Sequence, residues 1–168
     1  MKKFYSLLLI IPTLLLFTHS SSAAPQVGKV FKDWVTMCQT IPNTKQKHCH
    51  IAQTASDKKT NKPVLHTMVG RLVGQKTPVA IFILPTLISP KTKLQLVFSK
   101  DLSISFKVQA CDKKTKSCHA GVPLDKRILA AFKKGKVAFF TYKQGKKNVK
   151  IPISLMGLSS GLNALPKR

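Results

Sequence analysis

The side chains best suited to chemistry in this chain of 168 residues are its four cysteines and five histidines. Ten residues separate Cys38 from Cys49, and six separate Cys111 from Cys118. His48 and His50 flank Cys49, and His119 follows Cys118. Imidazole and thiolate are good zinc ligands, so both clusters invite a metal reading. Zinc sites use C-x2-4-C and H-x3-5-H spacings, however, and neither occurs here. An even cysteine count in two tight pairs reads instead as two local disulfides, Cys38–Cys49 and Cys111–Cys118. Oxidation would remove the thiolates as ligands and as nucleophiles. If Cys38 and Cys49 sit on neighbouring strands, alternation puts His48 and His50 on the face opposite Cys49. A weaker histidine-only site from His48, His50 and His66 stays open beside the simpler account of titrating surface histidines. No cofactor is called for, and no metal site is assigned.

The inventory for catalysis is thin. There is no glutamate, and the aspartates Asp33, Asp57, Asp101, Asp112 and Asp125 are scattered. Paired-carboxylate chemistry would need two of them to converge by folding. No G-x-S-x-G nucleophile elbow and no phosphate-cradling glycine loop occurs. The expectation is a protein without a catalytic site.

Charge is the other strong signal. The formal net charge is +24, with 29 basic and 5 acidic residues, and only three of the basic ones are arginine. Such a chain is drawn to polyanions, among them lipopolysaccharide, anionic lipid, glycosaminoglycan and nucleic acid. Specific nucleic-acid recognition is disfavoured. Arginine, which makes bidentate contacts to guanine and phosphate, is scarce, and no aromatics interleave with basic residues to form a stacking platform. Three lysine groups stand out as anion-binding candidates. Lys113, Lys114 and Lys116 lie between the second pair of cysteines. Lys133, Lys134 and Lys136 end a predicted helix, and Lys143, Lys146 and Lys147 flank a predicted hairpin turn. A solvated surface of lysines is the plainer account of the same residues. Loops that gather at one end of a sandwich could bring the first and third groups together.

The N-terminus carries the parts of an export signal. Lys2 and Lys3 precede an apolar run from Phe4 to Phe17, and Ser20 to Ala24 supplies small residues for cleavage. Pro25 disfavours a cut after Ala24, so residues 1–23 read as the signal peptide and 24–168 as one domain. The apolar run is short of the roughly 20 residues a spanning helix needs, and no later segment is long enough. An uncleaved anchor is the alternative. Export to the periplasm, the outer membrane or the exterior suits the paired cysteines. Oligomeric state is not legible.

The elements that must hold these residues are mostly strands. Apolar residues recur with period two, as in Ile104, Phe106, Val108 and Ala110, and again in Val149, Ile151, Ile153 and Leu155. Trp34–Thr40, His50–Thr54, Val64–Val73, Leu94–Phe98 and Val137–Tyr142 add further strands, and the continuous run Val79–Leu84 predicts a central one. Pro152 cannot donate to a ladder, so the last strand is expected at an edge or with its N–H side free. Gly145 marks a hairpin turn. Asp125 predicts a capped helix through Lys134 that ends at Gly135, and Gly157–Leu165 a second short helical turn. The fold class is all-β, mainly an antiparallel β-sandwich, with one or two short helices and two disulfides. Trp34 shares a face with Cys38, and Gln53 with Cys49. The first predicts an indole packed beside the disulfide, the second a buried hydrogen-bonding amide.

These landmarks come in a characteristic order: Phe31-Lys-Asp-Trp34 before Cys38, then Cys49-His-Ile-Ala-Gln53, then Cys111 and Cys118-His-Ala, then Leu124-Asp125, then Val149-Lys-Ile-Pro152-Ile-Ser154-Leu155-Met-Gly157-Leu158. In this the chain resembles the invasion-associated locus B family of exported bacterial proteins, from about Val27 to Leu165. Its members share a tryptophan before the first cysteine, a C-x-x-x-Q strand, a second cysteine pair and a P-x-S-L-x-G-[FL] closing segment. The resemblance implies a β-rich, twice-disulfide-bonded domain of the periplasm, outer membrane or exterior, without a known catalytic site. It also implies a link to the entry of bacteria into host cells. The extreme basicity goes beyond the family pattern.

Overall fold

The period-two patterning folds into two antiparallel sheets in a computed structural model that describes residues 26–42 and 47–166. The leader expected over residues 1–23 lies outside the described residues.

Seven strands form the larger sheet. They are β1 (Val30–Phe31), β2 (Trp34–Thr40), β3 (Lys47–Ser56), β4 (Pro63–Gly70), β5 (Val79–Leu84), β8 (Ala110–Asp112) and β9 (Ser117–Pro123), in the order β1-β2-β3-β4-β5-β9-β8. Four form the smaller sheet: β6 (Lys93–Val97), β7 (Ser103–Lys107), β10 (Val137–Gln144) and β11 (Lys147–Ser154), in the order β11-β10-β6-β7. The run Val79–Leu84 is central, as its unbroken apolar sequence predicts, and β11 with Pro152 is an edge.

One side of most strands faces the space between the sheets, whereas β8 is exposed along its length. Phe82 of the large sheet meets Phe106 and Phe140 of the small one, with ring centroids 5.5 and 5.1 Å apart. The small sheet does not reach over β1 and β2. There α2 (Leu158–Ala164) supplies the second layer, packing on β1, β2 and β3 and on α1 (Lys126–Lys134). Trp34, Ile51, Phe132 and Leu158 are fully buried in this part of the core. The Asp125 carboxylate accepts the Ile128 N–H at 2.8 Å and caps α1, as predicted. Gly135 closes the helix where the sequence predicts, and does so without a left-handed turn. Its φ is −77°, and a Cβ there would lie 2.8 Å from the Leu155 side chain, so the need is for space.

Three strands were not read from the sequence: β1, β8 and β9. Two residues are too few for a period to show in β1. In β9 the buried Cys118, Ala120 and Val122 do alternate with His119 and Gly121, but alanine and glycine make the pattern faint. The run predicted from Ser103 to Ala110 is divided. Its first part, to Lys107, is β7 of the small sheet, and Ala110 opens β8 of the large one. The strand predicted through Val73 ends at Gly70, which leaves Leu72 and Val73 exposed in the following loop.

Candidate functional site

Both disulfides form as predicted, and each joins residues directly opposite in an antiparallel pair. Cys38–Cys49 ties β2 to β3, and Cys111–Cys118 ties β8 to β9, each with Cα atoms 4.0 Å apart. No cysteine is free. Thiolate chemistry is therefore closed in this state of the protein.

Trp34 is buried, and its Nε1–H donates to the Ser154 carbonyl at 3.1 Å. Gln53 is only partly buried, and its amide serves the same strand end. Gln53 Nε2 donates to the Ser154 carbonyl at 2.7 Å, and the Ser154 N–H donates to Gln53 Oε1 at 3.1 Å. The Ser154 hydroxyl donates to the Asp33 carboxylate at 2.5 Å. Three hydrogen-bonding side chains thus converge on one serine. All of them are occupied in joining the sheets, so the cluster is structural.

The anion-binding candidates fall at two ends of the molecule. The start of β4 lies beside the end of β5 through His66↔Ile83, and the start of β9 beside the same end through Leu84↔Cys118. The linker 85–92 then delivers β6, whose start lies beside the end of β10 through Leu94↔Tyr142. The turns at 57–62, 85–92, 113–116 and 145–146 therefore all leave the sandwich at one end. Lys113, Lys114 and Lys116 share that end with Lys143, Lys146 and Lys147. They do not merge into one patch, because β11 stacks over β3 and β4 while β8 lies three or four strand spacings away, roughly 15–20 Å. Lys133, Lys134 and Lys136 lie at the opposite end, beside Val137↔Ser154.

At the shared end the small sheet carries a feature missed at the sequence level. Lys93 and Lys107 are direct cross-strand partners, and Lys143 lies next in line beyond Tyr142↔Leu94. All three point outward, since Leu94, Phe106 and Tyr142 alternate with them toward the core. Like charges directly opposite on a sheet repel, so this row is a local cost to the fold. A groove of about 810 Å³ runs beside it, lined by Lys91, Lys93, Lys143 and Lys150 with Gln95, Thr141 and Asn148, and by no carboxylate. The Lys150 ammonium sits 3.9 Å from the Phe139 ring centroid and is held by it. Only strand pairing brings these lysines together, since Lys93 lies 14 positions from Lys107 and 50 from Lys143 in the chain.

The carboxylates near this end are already engaged. Asp57 accepts backbone N–H bonds from Thr60 and Lys59, which hold its pKa below the usual carboxylate value, and Asp112 is lowered likewise by the Lys114 N–H. A second groove, about 1150 Å³, lies between β11 and the 57–62 turn. Lys58, Lys59, Lys136 and Lys150 line it together with Asp33 and Asp57.

The outer face of the large sheet is the reverse. Its outward positions are Val35, Met37 and Gln39 on β2, His48, His50, Ala52 and Thr54 on β3, His66, Met68 and Gly70 on β4, Val79, Ile81 and Ile83 on β5, and His119 and Gly121 on β9. No lysine or arginine is among them, and every described histidine is. His48 and His50 lie opposite Cys49, as alternation required. Burial, and then the neighbouring His48 and His66, push the His50 pKa down, and burial lowers that of His66. His66 is tied to the Thr54 hydroxyl at 2.8 Å. Its partner Thr54 lies four residues along β3 from His50, so the three histidines do not close on a common point. Among the described residues, no group of three or more His, Cys, Asp or Glu side chains could hold a metal ion.

A family model described as "Invasion associated locus B (IalB) protein" matches residues 34–166. Among solved structures, the chain is similar to the invasion associated protein B of Bartonella henselae, with a TM-score of 0.68 at 17% identity over 82% of this chain and 93% of that one. That likeness is one of fold. No curated protein sequence matches the chain significantly. Among the described residues, no helix is long and apolar enough to cross a membrane.

Proposed function

The chain belongs to the invasion associated locus B (IalB) family, and we propose that it is an exported, non-catalytic interaction module of the bacterial envelope or surface that engages an anionic partner such as lipopolysaccharide. Its contribution would be to envelope function or to host-cell invasion. The observation that carries the reading is the row Lys143, Lys93 and Lys107, with Lys91 and Lys150 beside it and no carboxylate in the groove. A fold that places like charges directly opposite one another gains when an anion fills the space between them. Ammonium groups act as point charges without a preferred bidentate geometry, which suits phosphate-bearing polymers of varied shape. The four cysteines and the family fold support export, since paired disulfides persist in oxidising compartments.

The test is binding of the leaderless, oxidised protein to lipopolysaccharide at low and at high salt. Wild type binds at low salt and is released as salt rises. Lys93→Glu with Lys143→Glu weakens binding at least tenfold, whereas Lys133→Glu with Lys134→Glu, the same charge change at the other end, has a smaller effect. Binding that ignores salt, or equal losses in the two double variants, overturns the assignment of this face.

A further inference from the structure

The open face of the large sheet carries a second chemistry, independent of the lysine row. Met37 and His50 are direct cross-strand partners on β2 and β3, and His48 lies two residues from His50 on the same side. The imidazoles of His48 and His50 have centroids 6.2 Å apart. With metal–nitrogen bonds of about 2 Å and ring nitrogens about 1 Å from the centroid, one ion can join two rings whose centroids lie about 6 Å apart. Directly opposite residues on a sheet have Cβ atoms about 5 Å apart, within reach of a methionine thioether. Beyond His50, the next strand offers Gly70, which adds no side chain to cover the ring. Met37 is 39% exposed, so the sulfur can be reached from solvent.

We propose that Met37, His48 and His50 form a binding site for a soft monovalent d10 cation, copper(I) or silver(I). Thioether sulfur selects soft ions, and imidazole accepts them. Zinc fits the set poorly. It takes four ligands of thiolate, imidazole or carboxylate type, and here the nearest thiolates are consumed in Cys38–Cys49. Charge points the same way. A protein of such positive charge repels cations, a monovalent one least, and this is the sheet face without lysine or arginine. The ion would replace a proton on neither ring and form no covalent product, so the step is ligand exchange alone.

The experiment uses leaderless protein without a histidine tag and with no free thiol, titrated against the copper(I)–bicinchoninate complex by its absorbance. One equivalent of copper(I) moves from the chelator to the wild type. Met37→Leu and His48→Gln each weaken binding at least tenfold, while His119→Gln, on the same face but four strands from β2, leaves it unchanged. Silver(I), added to the same protein and followed by NMR, shifts the Met37 methyl and the ring protons of His48 and His50 and not those of His119. Three outcomes overturn the proposal: no transfer from the chelator, transfer undiminished in both Met37→Leu and His48→Gln with circular dichroism unaltered, or tighter binding of zinc(II) than of copper(I).

Discussion

The amide of Gln53 bonds both the N–H and the C=O of Ser154, residues from opposite sheets and 101 positions apart. Ser154 is the last residue of edge strand β11, and beyond it no further strand offers backbone partners. A carboxamide carries a donor and an acceptor in the same plane, so it can stand in for the peptide group of a missing neighbour. The glutamine of the C-x-x-x-Q strand and the serine of the P-x-S-L-x-G segment thus form one joint between the sheets.

Replacing Gln53 with alanine breaks both bonds and leaves the partly buried Ser154 N–H unpaired, while the Ser154 carbonyl keeps the Trp34 indole N–H. We expect a loss of about 1–3 kcal/mol, read as a lower urea midpoint with an unchanged slope. Glutamate at the same position keeps the acceptor but loses the donor, and should recover only part of the loss.

Gly157 sits at φ +89°, and a Cβ there would lie 1.8 Å from the Phe31 carbonyl oxygen. Both the backbone conformation and the space demand glycine. Gly157→Ala should cost more than about 3 kcal/mol, enough to lower the melting temperature sharply or to abolish soluble expression. Gly145→Ala, at φ +59° but with open space around it, should cost far less and serves as the comparison.

Each disulfide closes a short loop, of sequence separation 11 for Cys38–Cys49 and 7 for Cys111–Cys118. Replacing either pair with serine should lower stability by about 2–3 kcal/mol in thermal or urea unfolding. Loss of the second pair should leave lipopolysaccharide binding nearly intact, because the lysine row is on the other sheet.

Acid should destabilise the fold in two windows. The folded pKa values of His50 and His66 lie below the ordinary value of 6.5, so the unfolded chain takes up protons first as pH falls below it. Stability therefore declines from pH 6.5 down through the folded values of these histidines. A second decline follows below the ordinary carboxylate value of 3.8, as Asp57 and Asp112 protonate and lose their backbone bonds. Melting temperatures measured across this range should show the first decline in wild type and a shallower one when His50 and His66 are both glutamine.

The sequence by itself determined the covalent frame and the strand character. Two cysteine pairs, alternating apolar residues, a capped helix at Asp125 and an edge strand at Pro152 are local facts, set by spacings of one to eleven positions. It also placed His48 and His50 correctly opposite Cys49, because alternation along one strand needs no partner. What only the tertiary structure decided is which distant lysines share a face. Lys113, Lys133 and Lys143 look equivalent as clusters in the chain, yet the folded molecule separates them by end and by sheet. It assembles instead Lys93, Lys107 and Lys143, which no cluster in the sequence joins. Gln53 met Ser154 in the same way. Cross-strand register is a property of pairing between segments, and a single strand carries its two faces but not the identity of its neighbours.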